Sequence, residues 1–225
     1  KPFQAQALFL SGAAKKFGFT DKELALTCAS HFGSAEHVAV ARGILDKISL
    51  GVFDLACGVH MPSDKEERAR LERAHEKPSA LHNNCSGKHS GMLAVARALG
   101  AATQGYEKSE HPVQQLNFQT VRDLSGVTEI PYGVDGCSVP AIVLTLQNAA
   151  WMFAQLAEPS VAPEHYRDGL AHTFRAMRSY PEMVANAGEI DTVLMQNISG
   201  LAAKGGAEGY YGLALRETKH GPLGI

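Results

Sequence analysis

His82-Asn83-Asn84-Cys85-Ser86-Gly87-Lys88-His89-Ser90-Gly91 gathers a thiol, a lysine and two histidines just before an apolar run, Met92-Leu93-Ala94-Val95. The run continues to Leu99, and Gly100 suits a C-terminal cap, so the spacing predicts a helix over 87–99 with Met92, Val95 and Leu99 on its apolar face. Cys85, Lys88 and His89 stand at i, i+3 and i+4, and a helix beginning here puts all three on one face. Free amides of its first turn would attract an anion or stabilise a thiolate. The same residues also read as a polar first turn whose glycine serves helix packing, and spacing alone does not choose between the two.

Further helices surround this one. Thr20 with Glu23 forms a capping box. Ser34 can cap a helix with Val38, Ala41, Leu45 and Ile48 inward. The charged run Asp64 to Lys77 reads as a solvated helix, and Pro112 opens one that buries Val113, Val121 and Leu124. Pro140 is expected to open another, with Val143, Leu146, Ala150, Phe153 and Ala157 inward. Tyr166, Leu170, Phe174 and Met177 line one more, ending before Pro181. Strand signals are fewer. Leu24 to Cys28 is a short apolar run that reads as a strand, and Leu201–Lys204 with Tyr210–Leu215 flank a glycine-rich turn. The expected class is α/β or α+β, an antiparallel sheet covered by helices.

With 225 residues, 45% hydrophobic and 20% charged, the chain is long enough for a sizeable core and is not of disordered composition. A formal net charge of -2 without a basic stripe argues against nucleic acid and anionic membranes as partners. No apolar run reaches the length of a membrane span and no secretory leader is visible, so a cytoplasmic location is expected. Residues 1–225 read as a single catalytic domain. The chain opens at Lys1 and closes on Gly221-Pro222-Leu223-Gly224-Ile225, a turn entering a strand, so truncation at both ends of a longer protein is expected. Cys28, Cys57, Cys85 and Cys137 are widely spaced without a CxxC, which favours reduced thiols.

Three more segments carry reactive groups. Gly133-Val134-Asp135-Gly136-Cys137-Ser138 can be a loop presenting Asp135 and Cys137 to a cleft, or an Asp-Gly turn with a buried thiol. In Cys28-Ala29-Ser30-His31, Ser30 invites a nucleophile reading. His31 is a poor base for it, because neighbours on a strand point to opposite sides. An ST-type turn is the plainer alternative. Lys204-Gly205-Gly206 puts a lysine where a ligand can approach the backbone; buried, such a lysine has a lowered pKa and serves as a base, while exposed it is a hairpin surface residue. Glu208 can bind an ammonium group. HExxH, P-loop, GxSxG and GxGxxG elements are absent.

Taken in order, Lys1-Pro2-Phe3-Gln4, Cys28-Ala29-Ser30-His31 with Glu36-His37, Leu55-Ala56-Cys57-Gly58, Cys85-Ser86-Gly87-Lys88-His89, His111-Pro112-Val113-Gln114, Asp135-Gly136-Cys137 and Lys204 with Gly206-Ala207-Glu208-Gly209 resemble the rhizobial-type (thermolabile) L-asparaginases, and they span nearly the whole chain. The resemblance implies a fold like that of serine β-lactamases and glutaminases, hydrolysis of L-asparagine to aspartate and ammonia, and a homodimer. It implies two Ser-Lys pairs: Lys1 with a serine three residues upstream, which this sequence does not include, and Ser30 with Lys204; either serine is a candidate nucleophile. It also implies a zinc site at Cys85, Lys88 and Cys137, with Asp135 beside it holding substrate; His31 and Glu208 complete the substrate-binding candidates. Val184-Ala185-Asn186-Ala187-Gly188-Glu189 departs from the family's glycine-rich form. Two other readings stand beside this one, a cysteine-nucleophile amidase using Cys85 with His89 and a zinc-stabilised amino-acid-binding protein without turnover.

Overall fold

A computed structural model describes residues 1–225. In chain order the helices are α1 (Gln6–Leu10), α2 (Ala13–Lys16), α3 (Asp21–Thr27), α4 (Ala35–Lys47), α5 (Lys65–Ala74), α6 (Ser86–Leu99), α7 (Pro112–Ser125), α8 (Leu146–Ala157), α9 (Glu164–Ser179), α10 (Pro181–Val184) and α11 (Ile190–Asn197). The strands are β1 (Tyr132–Val134), β2 (Pro140–Ile142), β3 (Leu201–Gly205), β4 (Tyr211–Leu215) and β5 (Leu223–Gly224). The class is α+β. β1 and β2 form a small antiparallel hairpin, and β3, β4 and β5 form a second antiparallel sheet in that order.

Local chemistry explains most helix ends. Thr20 and Glu23 close the capping box of α3, Ser34 and His37 do the same for α4, and the Asp64 carboxylate caps α5. Gly100 and Gly126 end α6 and α7 in the left-handed conformation that glycine adopts freely.

The structure differs from the sequence reading at two segments. Leu24 to Cys28 is not a strand but the body of α3 and its C-cap. Leu24, Ala25 and Leu26 are all buried, so no one-sided period was present to mark the helix, and the capping box decides the conformation. Pro140 does not open a helix. It lies in β2 opposite Val134, and α8 begins at Leu146 after Thr145, whose hydroxyl accepts from the Asn148 N–H at 3.1 Å. Val143 and Leu146 are consequently exposed.

A single cluster of 47 buried residues forms the core. α6 lies inside it, buried without interruption from Ser86 to Ala96, with α4 and α3 packed on it. α8 covers β4 and β5, and α11 packs along β3. The approach at the sheet is close enough that a Cβ on Gly224 would sit 1.8 Å from the Ala150 carbonyl oxygen. None of the helices is long and apolar enough to cross a membrane. All four cysteines are buried free thiols.

The contact between α3 and α6 sets the depth at which the first turn of α6 sits. A Cβ on Gly87 would lie 2.5 Å from the Leu26 carbonyl oxygen and 2.6 Å from Leu26 Cγ. Gly87→Ala must push backbone away from backbone, and its expected cost is about 3 kcal/mol, at the upper end for overpacked sites. Urea unfolding of the two proteins measures it; a change below about 0.5 kcal/mol, the size of an ordinary surface substitution, would refute the close packing.

Candidate active site

One cavity of about 1090 Å³ is lined by Lys1, Ser30, Cys85, Lys88, Asp135, Cys137 and Lys204. Residues from both ends of the chain therefore meet at the start of α6. Ser30 stands just past the end of α3, held by two backbone bonds: Ser30 N–H to the Val184 carbonyl and His31 N–H to the Asn84 carbonyl, each 3.1 Å.

Lys1 is the direct partner of Ser30. Its Nζ lies 2.8 Å from Ser30 Oγ, 2.7 Å from the Ala29 carbonyl oxygen and 3.2 Å from Cys85 Sγ. A neutral amine has two hydrogens and one lone pair. As an ammonium, Lys1 donates to all three acceptors; as a neutral amine, it could donate to the carbonyl and the sulfur and turn its lone pair to the Ser30 hydroxyl proton. Burial, then the charge of Lys88, pull the Lys1 pKa down, against the opposing pull of Cys85.

The two thiols behave as one unit. The bond with Cys137 lowers the pKa of Cys85, and Lys1 and Lys88 add to this against the opposition of burial. Cys137 is correspondingly raised by the same bond and by burial. The pair thus carries one negative charge, on Cys85, with Cys137 a thiol 3.2 Å from Asp135 Oδ2. Lys88 Nζ donates to Cys137 Sγ at 3.1 Å and stands 3.7 Å from Asp135 Oδ2. Burial opposes its charge, but Cys85, Cys137 and Asp135 together outweigh it, and its pKa is raised.

Lys204, next to last in β3, lines the same cavity. Its amine donates to the Gly205 carbonyl and makes no hydrogen bond to Ser30; burial and then Lys1 lower its pKa to about 8. Two expected substrate residues lie elsewhere. His31 is buried beneath the site. Its Nδ1 accepts from the Gly33 N–H at 3.0 Å, so Nε2 carries the proton and meets Ser86 Oγ at 2.9 Å. Glu208 sits exposed in the β3–β4 turn, and the cavity is lined there by Gly206, Ala207 and Tyr210 instead. His89 is turned away from Cys85: its Nδ1 meets the Tyr106 hydroxyl at 2.6 Å.

Asp191 joins the site without a signal in the sequence. Buried at the start of α11, it accepts from the Gly205 N–H at 3.0 Å and from the Tyr211 hydroxyl. In sequence it reads as an ordinary acidic residue complementing a helix N-terminus.

The thiol pair also has the form of a metal site. The ligand atoms of Cys85, Asp135 and Cys137 lie within 4.8 Å of one another, and Lys88 Nζ adds a fourth donor. Tetrahedral zinc with Zn–S bonds of about 2.3 Å places its ligand atoms some 3 to 4 Å apart, so the donor set fits. Lys88 must be neutral to ligate, which its raised pKa opposes.

Cys28 and Cys57, raised by burial to about 11 and about 12, stay protonated where Cys85 is a thiolate. In metal-free buffer at pH 7, iodoacetamide is expected to label Cys85 more than about tenfold faster than either, as thiolate character dictates. Peptide mass spectrometry reads the order, and equal labelling of all three would refute the charge assignment.

No curated protein matches the chain. The family described as L-asparaginase II matches residues 1–224, all but the last residue. A match of that extent, over a cavity holding a serine against a lysine, places this chain in the L-asparaginase II family, as an L-asparaginase-like amidohydrolase.

Proposed function

We propose that the protein hydrolyses L-asparagine to L-aspartate and ammonia by Ser-Lys nucleophilic catalysis, with Ser30 as nucleophile. The observation that carries this reading is the 2.8 Å contact between Lys1 Nζ and Ser30 Oγ inside the cavity. The resemblance pairs Ser30 with Lys204; the 2.8 Å contact supports Lys1 as the group that takes the serine proton, and a second task is proposed for Lys204.

In acylation, Ser30 Oγ attacks the side-chain amide carbonyl while its proton passes to neutral Lys1. The amide nitrogen leaves as ammonia only if it gains a proton. Lys204, with a pKa of about 8, is mostly charged at neutral pH and supplies it. A β-aspartyl ester on Ser30 remains. In deacylation, neutral Lys204 takes a proton from water as the water attacks the ester. Ser30 Oγ then leaves and recovers its proton from Lys1. Both lysines end as they began.

Zinc is proposed to bind Cys85, Cys137 and Lys88, with Asp135 beside it. When bound, it would supply fixed positive charge at the cavity wall, suited to the carboxylate of the substrate. Asp135 remains the candidate for holding the substrate ammonium; Glu208, at the turn, would contribute only to its approach, and His31 acts by fixing Ser86. On the family's pattern, the working protein is proposed to be a cytoplasmic homodimer with a serine-β-lactamase-like fold.

Ser30→Ala is expected to lower kcat for ammonia release from L-asparagine by at least about 10³-fold, as loss of a nucleophile does. After an acid quench of the wild-type reaction, the acyl mass is expected on the Ser30 peptide. An acyl adduct on Cys85 instead would replace this reading with cysteine catalysis, and ligand-induced stabilisation without ammonia release would replace it with a binding protein.

Equilibrium dialysis is expected to give about one zinc per chain. Cys137→Ser should weaken binding by more than about 100-fold, beyond the cost of losing an outer-shell partner. Affinity should rise with pH, because Lys88 must shed its proton to ligate. Binding unchanged by the substitution would remove zinc from these residues.

A further inference from the structure

The groups facing Lys204 come from four places: Lys1 from the N-terminal segment, Cys28 from the end of α3, Cys85 from the start of α6, and Asp191 from α11. Cys28 is a thiol, its pKa pushed up to about 11 by burial. The Cys85 thiolate is already bonded to Lys1. Asp191 is thus the one carboxylate among them, with Oδ2 3.8 Å from Lys204 Nζ.

The same carboxylate is fixed to the strand that carries the lysine. Gly205 N–H, one residue after Lys204, donates to Asp191 Oδ2 at 3.0 Å and Oδ1 at 3.2 Å. Tyr211, directly opposite Gly205 in the β3–β4 register, donates its hydroxyl to Oδ1. Asp191 is buried, and these bonds go to the sheet and not to the amides of its own helix, so complementing the α11 dipole does not account for them.

We infer that Asp191 is a positioning residue for Lys204: its carboxylate fixes the end of β3 that presents the lysine and supplies the opposing charge for its ammonium. This deepens the proposed role of Lys204 as the acid for the leaving nitrogen and rests on that reading. A charged Lys204 is needed for acylation, so kcat/KM falls as pH rises through its pKa. Removing the Asp191 charge brings that fall to lower pH.

Asp191→Asn keeps the size and an acceptor for Gly205 N–H while removing the charge. Its alkaline limb of kcat/KM is expected about one pH unit below that of the wild type, a shift of the size one nearby charge produces. KM should stay within about twofold, since the proposed substrate contacts are at Asp135 and not at Asp191. A second readout needs no turnover: the pH midpoint for acylation of Lys204 by acetic anhydride, followed by mass spectrometry, should move by the same amount. Tyr211→Phe removes one anchor but leaves the charge, so its midpoint should stay at the wild-type value. Asp191→Glu, which restores the charge, should return the limb toward wild type even if Asp191→Asn proves too unstable to assay.

A midpoint unmoved in Asp191→Asn, or moved equally in Tyr211→Phe, would overturn the inference. Lys204→Met keeps the two failures apart. If it loses activity while Asp191→Asn shows the wild-type limb, only the role of Asp191 is wrong. If it keeps both the rate and the alkaline limb, the acid role of Lys204 is wrong, and the inference falls with it.

Discussion

Each of the three lysines in the cavity has an anion of its own, and the site depends on that pairing. Lys1 faces the Cys85 thiolate, Lys88 faces Asp135 and the thiol pair, and Lys204 faces Asp191. Ammonium groups out of water are costly unless paired, and three of them would also repel one another. The pairings differ in strength, so the lysines are pulled in different directions. The pKa of Lys88, with several anionic or thiol neighbours, is raised; those of Lys1 and Lys204, with weaker compensation, are lowered, Lys204 to about 8, where it still holds its proton at neutral pH. The proposed reaction, which must both remove a proton from serine and give one to nitrogen, calls for lysines whose proton affinities have been drawn down in this way.

The anions come from three separate elements, and α6 brings them into register. Its first turns carry polar side chains deep in the core, most of them bonded locally, although His89 Nε2 has no partner. Ser86 donates to the Leu81 carbonyl, Ser90 to the Ser86 carbonyl, and His89 meets Tyr106. Those bonds fix the start of the helix, so Cys85 and Lys88 are presented to the cavity from a rigid base. Gly87 lets α3 approach on the opposite side, and α3 delivers Ser30. The neutral His31 links the two elements through Ser86.

How much of this was legible in the sequence varied with the range of the interaction. Helix ends set by residues three apart, such as Thr20 with Glu23 or Ser34 with His37, could be read directly. The antiparallel pairing around Gly206-Ala207-Glu208-Gly209 was readable for the same local reason. The body of α3 was not, because a segment buried on all sides has no periodic polar face. Pro140 misled because a proline suits a strand at a sheet edge as well as a helix start. Seven of the nine candidate site residues line one cavity, which spacing could not establish. Lys1 meets Ser30 from 29 positions away, and the partners of Asp191 lie 14 and 20 positions on. No local pattern encodes such contacts, so neither is legible in the sequence.

Lys88 shows why the charge arrangement and the metal have to be considered together. As an ammonium it sits between Cys137 and Asp135, where it neutralises the negative charge of the thiol pair and the carboxylate. As a ligand of the proposed zinc it would have to give up that proton, and the metal would then carry positive charge in the same place. Both states would keep a cation at this wall of the cavity, so the field on Lys1 would change less than the chemistry of the wall. Lys1 donates to Cys85 Sγ at 3.2 Å and meets Ser30 Oγ at 2.8 Å. On that reading the serine-lysine contact survives either occupant, and the proposed metal would act on the binding of a charged substrate more than on the activation of the nucleophile.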